Sequence, residues 1–266
     1  MNPIRPVALV LLAAAAVSAG GKQDARNTYT PNTDTHFVLP AYGTLAEWQA
    51  RKVALRQQIL SAAGLLPIPP KTDMHPRVFG RLDREGYSIE KVYLETMPGY
   101  YMGGNLYRPR GAGGKHPAVL IAQGHWDYGR VENQQLNSPP TEGINLARQG
   151  YVAFAYDMAG YNDNIQTPHI FGGPKEQLWS FGPLGLQTWN SIRALDFVLS
   201  LADVDGARVG ITGASGGGTQ TFLLTAIDDR ISFAAPVNMV SAIMQGGCPC
   251  ENAPGLRLAG VYCELA

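Results

Sequence analysis

The chain has 266 residues, 45% of them hydrophobic and 16% charged, with 21 basic side chains against 21 acidic ones. A net charge of zero argues against nucleic-acid or anionic-membrane binding, which needs a basic surface. So much apolar content excludes disorder, and the 31 glycines and 19 prolines follow no collagen-like period.

Residues 1–20 read as a secretory signal peptide. Arg5 supplies a positive start, Val7 to Val17 is an apolar run, and Val17-Ser18-Ala19 offers small residues for cleavage. That run is shorter than the roughly 20 residues a membrane-spanning helix needs, so a secreted or periplasmic protein is expected, with no further membrane association. Residues 21–86 form an N-terminal extension with one helix, Thr44 to Ala63. Thr44 and Glu47 make a capping box, Leu45, Trp48, Leu55 and Ile59 share a face, and Gly64 ends the helix.

Residues 87–266 alternate strands and helices. Ile89–Leu94 and Met102–Tyr107 are strands joined at Pro98-Gly99, followed by the apolar runs Pro117–Ala122 and Tyr151–Tyr156. Such runs suit strands covered on both faces. Thr141–Gln149 and Leu184–Leu201 have helical spacing, with a long loop from Met158 to Pro183 between the last strand and the second of these helices. Arg208–Thr212 is a strand, Thr219–Ala226 a helix and Ile231–Val237 a sixth strand. This order predicts an α/β fold with a mostly parallel sheet and flanking helices.

The chemistry is concentrated at Gly213-Ala214-Ser215-Gly216-Gly217, which matches the nucleophile-elbow pattern GxSxG between a strand and a helix. Small residues two positions either side of the serine let strand and helix pass closely. Gly216 would offer a backbone N–H to an oxyanion at the helix start, and His125, in the loop after Pro117–Ala122, is the candidate for a second donor. Trp126, Tyr161 and Trp179 lie on loops expected around the elbow and are the candidate substrate-binding aromatics. A phosphate-binding turn is the alternative for the glycines, but the lysine of a P-loop and the GxGxxG spacing are both missing.

Taken together, Ile192–Phe197, the Asp205 turn and Val209–Gly217 resemble the α/β-hydrolase superfamily, and more closely the secreted bacterial acetyl xylan esterases. Tyr100–Pro109 resembles the second strand of those enzymes, and Ala234–Arg257, containing Gly247-Cys248-Pro249-Cys250-Glu251-Asn252, resembles the segment after their sixth strand. The likeness covers residues 40–258. It implies deacetylation of carbohydrate esters through an acyl-enzyme on Ser215, with a histidine as base and an acid orienting it. The resemblance also places an acid at Glu251, as in the related glucuronoyl esterases. A partner for Arg257, or a solvated charge, is the alternative role for that residue. Asp157 and Asp163 are expected to tie down their own loop.

In that family an acid and then a histidine follow the serine, on two further strands. Here the last histidine is His169 and only six strands are visible, so the expectation is a partial hydrolase domain, lacking the last two strands and weakly active or inactive as written. Recruitment of His125 or His169 as base, or a non-catalytic glycan- or partner-binding role, are the alternatives. A prolyl oligopeptidase-like serine peptidase is a further one, although its propeller domain has no room here.

No cofactor is expected. The five histidines show no HExxH pair, and Cys248-Pro249-Cys250 is one residue short of a CxxC, so no metal site is expected either. With Cys263 the cysteine count is three, leaving at least one unpaired within the chain.

Overall fold

The computed structural model describes residues 38, 40–111, 113–238, 247–253 and 256. The expected signal peptide and Cys263 lie outside these residues. Helix α1 (Leu45–Ala62) precedes β1 (Arg77–Arg84), β2 (Tyr87–Met97), β3 (Tyr100–Pro109) and β4 (His116–Ala122). Then come α2 (Pro139–Arg148), β5 (Val152–Tyr156), α3 (Pro174–Leu178), α4 (Pro183–Ser200), β6 (Val204–Ala214), α5 (Gly216–Ile227) and β7 (Phe233–Val237).

All seven strands form one sheet in the order β1-β2-β3-β5-β4-β6-β7. The first three strands are antiparallel meanders, and β3 meets β5 antiparallel. From β5 onward every pairing is parallel. One strand, β1, is additional to the six read from the sequence. All eight of its residues are exposed, so it carries no apolar face for a pattern to reveal.

Period-two alternation on the central strands builds two cores. Ala118, Leu120 and Ala122 of β4 and Phe154 and Tyr156 of β5 face α1, α4 and α5. Val119 and Ile121 of β4 and Ala153 and Ala155 of β5 face α2, whose Ile144 and Ala147 cover them. Both strands are therefore apolar throughout, as expected for strands sandwiched between helix layers. The outer strand β7 departs from that expectation. All five of its residues are exposed, and among the described residues nothing pairs with its outer edge.

Helix α1 begins on the expected capping box: the Glu47 N–H donates to Thr44 Oγ1 at 3.2 Å, and the Thr44 N–H to Glu47 Oε2 at 3.3 Å. Only its C-terminal half packs as predicted. Leu55 and Ile59 are buried, whereas Leu45 is 73% exposed and Trp48 is half-buried beside Tyr42. The first turn overhangs the core, so the cap holds it rather than burial.

Helix α4 is buried along nearly its whole length and carries a polar seam through the core. Trp189 Nε1 donates to the Thr96 carbonyl at 2.6 Å, Thr96 Oγ1 to Asn190 Oδ1 at 2.8 Å, and the Tyr156 hydroxyl to Ser191 Oγ at 2.8 Å. These bonds fix the register of α4 on β2 and β5, since each buried donor would otherwise go unpaired. The long loop expected between β5 and α4 contains the single-turn helix α3. Among the described residues no helix is long and apolar enough to cross a membrane.

Candidate active site

Strand β6 runs straight into α5 through one residue, Ser215, whose φ of 56° and ψ of −123° lie far from either element. A non-glycine residue with positive φ is strained, and the cost is about 1–3 kcal/mol. The elbow closes only because its neighbours lack side chains. A Cβ on Gly213 would lie 2.5 Å from the Ala122 carbonyl oxygen, and one on Gly217 only 2.1 Å from the same atom. Gly124, in the loop after β4, passes equally close to the Ala214 carbonyl oxygen, at 2.4 Å. The Ser215 N–H is tied to the Val237 carbonyl at 3.0 Å, which anchors the elbow to the end of β7.

Ser215 has no side-chain cap bond and stands at the head of α5. Gly216 is the first residue of that helix, so its N–H has no partner within the helix and points where the helix dipole favours negative charge. His125 sits across from it, with ring atom Cε1 3.0 Å from where a Gly216 Cβ would lie. In the same loop the Trp126 backbone N–H is spent on the Gly124 carbonyl at 2.9 Å, so Trp126 cannot serve as a main-chain oxyanion donor. Its indole Nε1 is buried and finds no hydrogen-bond partner among the described residues. That atom lies 3.2 Å from the same Gly124 Cβ position that is 3.1 Å from Ser215 Cβ.

Glu251 reaches the serine from the segment after β7. The Ser215 hydroxyl donates to Glu251 Oε1 at 3.4 Å, and His125 Nδ1 lies 3.3 Å from that same oxygen. The other carboxylate oxygen accepts the Cys248 N–H at 3.2 Å. The residue is 4% exposed, and among the described residues its partners are Ser215, His125 and the Cys248 N–H; Arg257, the alternative partner, lies outside the described residues. Burial opposes its ionisation, but the hydrogen bonds from His125 and the Cys248 N–H outweigh it and hold the carboxyl below its ordinary range.

Three further side chains come to this place that sequence spacing set aside. His169 Nε2 lies 3.0 Å from His125 Nε2, Cys250 Sγ lies 3.1 Å from His125 Nε2, and Cys248 Sγ lies 3.1 Å from His169 Nε2. These four ligand atoms fall within 4.8 Å of one another. Local spacing, which led to the expectation of no metal site, does not reveal this grouping. Two imidazole nitrogens and two sulfurs from three separate loops converge, and no single-segment motif can show that. Cys248 and Cys250 are both free thiols. Burial is the main force pushing the Cys250 thiol up, and burial likewise pulls His169 down and favours its neutral ring. Among the described residues no histidine ring hydrogen-bonds Ser215 Oγ.

The candidate aromatics divide. Trp126 is half-buried beside the elbow, and Tyr161 packs edge-on against both His125 and His169, with centroids 6.5 and 5.0 Å away. Trp179 is 81% exposed and does not line the adjoining groove. That groove, of about 720 Å³, is instead bordered by Phe181 and by Ile170, Phe171, Pro249 and Asn252, which lie one or two residues from His169, Cys250 and Glu251 in the chain. The loop carrying Tyr161 is tied down as expected. Arg130 forms ion pairs with Asp157 and, at 2.5 Å, with Asp163, while Asn164 Oδ1 accepts the Gly103 N–H at 2.7 Å.

No protein-family model matches the chain. Over 163 residues it is 30% identical to YtaP of Bacillus subtilis (strain 168), a protein named for an inferred hydrolase activity; the match covers 56% of this chain and 52% of YtaP. Among solved structures, Methylesterase BT1017 superposes with a TM-score of 0.69 at 30% identity, over 85% of this chain and 50% of that one. A Bacteroides fragilis NCTC 9343 protein titled as an acetyl xylan esterase by inference superposes at 0.59 with 17% identity, over 70% and 52% of the two chains. The chain thus spans about half the length of these relatives. Its structural neighbours are acetyl xylan esterases and methylesterases of the α/β-hydrolase type.

Proposed function

We propose that this chain, which has the α/β-hydrolase fold, is a serine carboxylic-ester hydrolase whose substrates are carbohydrate esters and whose nucleophile is Ser215. The observation that carries the reading is the strained Ser215 elbow, held at a helix N-terminus with its hydroxyl on a buried carboxylate. Strain at such a residue persists only when the surroundings enforce it, and here three glycines are spent on doing so.

In this reading Ser215 Oγ attacks the ester carbonyl, and the N–H groups of Gly216 and His125 receive the oxyanion. Trp126 and Tyr161 flank the sugar, and the unpartnered Trp126 indole N–H donates to a substrate oxygen. The alcohol leaves and water releases the acyl group. Glu251 accepts the serine hydrogen bond, yet a carboxyl held below its ordinary range is a weak proton acceptor. Among the described residues no histidine reaches Ser215, which leaves Glu251 alone to take the proton, and slow turnover is the expected outcome. Export directed by residues 1–20 places the reaction where polysaccharides are met.

The test is labelling of Ser215 by an active-site fluorophosphonate, read by mass spectrometry, alongside hydrolysis of a 4-nitrophenyl acetate and a methyl uronate. Stoichiometric labelling that disappears in Ser215→Ala, with slow turnover of one ester, is the expected result. The preferred ester separates an acetyl from a methyl specificity. Absence of labelling, or hydrolysis unchanged in Ser215→Ala, would overturn the assignment.

A further inference from the structure

We infer that His125, His169, Cys248 and Cys250 form a four-coordinate site for a borderline-soft divalent cation, Zn²⁺ foremost, which clamps three loops over the serine elbow. The site is independent of the ester-hydrolase reading.

The ring tautomers provide the first argument. His169 Nδ1 lies 2.8 Å from the Ala159 carbonyl oxygen, which can only accept, so Nδ1 carries the proton and Nε2 a lone pair. His125 Nδ1 faces the Glu251 carboxylate at 3.3 Å, so the neutral ring is protonated there too. Both lone pairs are thereby directed into one space, with Nε2 atoms 3.0 Å apart. Two lone pairs at that separation need a positive centre between them, a shared proton or a cation, and two adjacent thiols favour the cation. A histidine whose far nitrogen donates to a carboxylate or a backbone carbonyl is also the usual arrangement of a metal ligand, because that bond fixes the tautomer and raises basicity.

The sulfurs complete the set. Cys250 Sγ is 3.1 Å from one Nε2 and Cys248 Sγ 3.1 Å from the other, and all four donors lie within 4.8 Å of one another. Tetrahedral zinc with Zn–S near 2.3 Å and Zn–N near 2.0 Å requires ligand separations of about 3.3–3.8 Å, so small ring and thiol movements suffice. Two thiolates neutralise a divalent ion, and an S₂N₂ donor set selects zinc-like metals over magnesium or calcium. Cys-Pro-Cys is short for a zinc knuckle, but here the two sulfurs supply one edge of the tetrahedron and the histidines the opposite one.

Four protein ligands leave no open position, so the ion is structural. It joins the β4 loop (His125), the β5–α4 loop (His169) and the segment after β7 (Cys248, Cys250), and it holds Glu251 between the last of these and Ser215. Both upstream histidines then have their Nε2 occupied, which removes them as bases for Ser215.

Purified full-length protein, prepared without chelator, is expected to contain close to one equivalent of zinc by plasma mass spectrometry. Cobalt(II) exchange should give the visible d–d bands and the thiolate charge-transfer band of a tetrahedral S₂N₂ site. Cys248→Ser and Cys250→Ser should each lose most of the metal while keeping the far-ultraviolet circular dichroism of the fold. Glu251→Gln should weaken zinc binding about 10- to 100-fold. Ser215→Ala should retain a full equivalent, so failure of the hydrolase reading would leave this result untouched. The proposal is overturned if wild-type protein holds under a tenth of an equivalent and the reduced protein gives no cobalt bands. A Cys248–Cys250 disulfide in the protein as isolated would overturn it equally.

Discussion

Ser215 Oγ and Glu251 Oε1 stand 3.4 Å apart, although 36 residues separate them in the chain. The contact joins the head of α5 to the segment after β7, and the Ser215 N–H bond to the Val237 carbonyl closes the same junction through the backbone. The serine is therefore positioned by two independent constraints, one on its backbone and one on its hydroxyl.

The backbone constraint can be measured. Ser215 occupies a left-handed conformation that glycine adopts without a Cβ penalty. Ser215→Gly is expected to raise stability by about 1 kcal/mol in urea denaturation while abolishing fluorophosphonate labelling. Gly217→Ala is the opposing experiment, since its Cβ would stand 2.1 Å from the Ala122 carbonyl oxygen, and it should cost about 3 kcal/mol or more.

The Arg130–Asp157 pair holds the loop that delivers Tyr161 and His169. Asp157 is fully buried and accepts from the Arg130 guanidinium, from the Arg130 N–H at 2.8 Å and from Asn162 Nδ2 at 2.8 Å. Removing one partner strands a buried charge. Arg130→Ala is expected to destabilise by about 3–5 kcal/mol and to increase hydrogen exchange across residues 158–170 before the core strands respond.

An exposed pair should behave differently. Asp229 is held down at about 2 by hydrogen bonds from Arg56 and Lys52. Because its folded value is depressed, its contribution is fully present above the unfolded carboxylate value of about 4 and fades as pH falls toward 2. Its side chain is 60% exposed, so solvent screening keeps the contribution to at most about 1 kcal/mol. Asp229→Asn should therefore lower the melting temperature slightly at pH 7, with the difference shrinking steadily below pH 4 and vanishing only below about pH 2, as followed by circular dichroism.

Much of the fold could be read from local pattern. The apolar runs of β4 and β5, the α1 capping box and the glycines around Ser215 are each written within a few consecutive residues. They act through forces equally local: hydrogen bonds to the nearest orphan N–H, or steric clearance at one turn. Strand β1 was illegible for the same reason, since an edge strand with both faces exposed needs no alternation.

The site divides along the same line. By itself the sequence determined the elbow and the serine at its tip, because strand, serine and helix are contiguous. The closeness of Glu251 to Ser215 was suggested only by resemblance, and the convergence of His125, His169, Cys248 and Cys250 not at all. Those contacts depend on which strand ends the parallel sheet brings side by side. β4 lies between β5 and β6, and β7 beside β6, so the loops leaving their C-terminal ends are gathered over one point. Residue spacing along the chain carries no record of that gathering; the tertiary structure decided it.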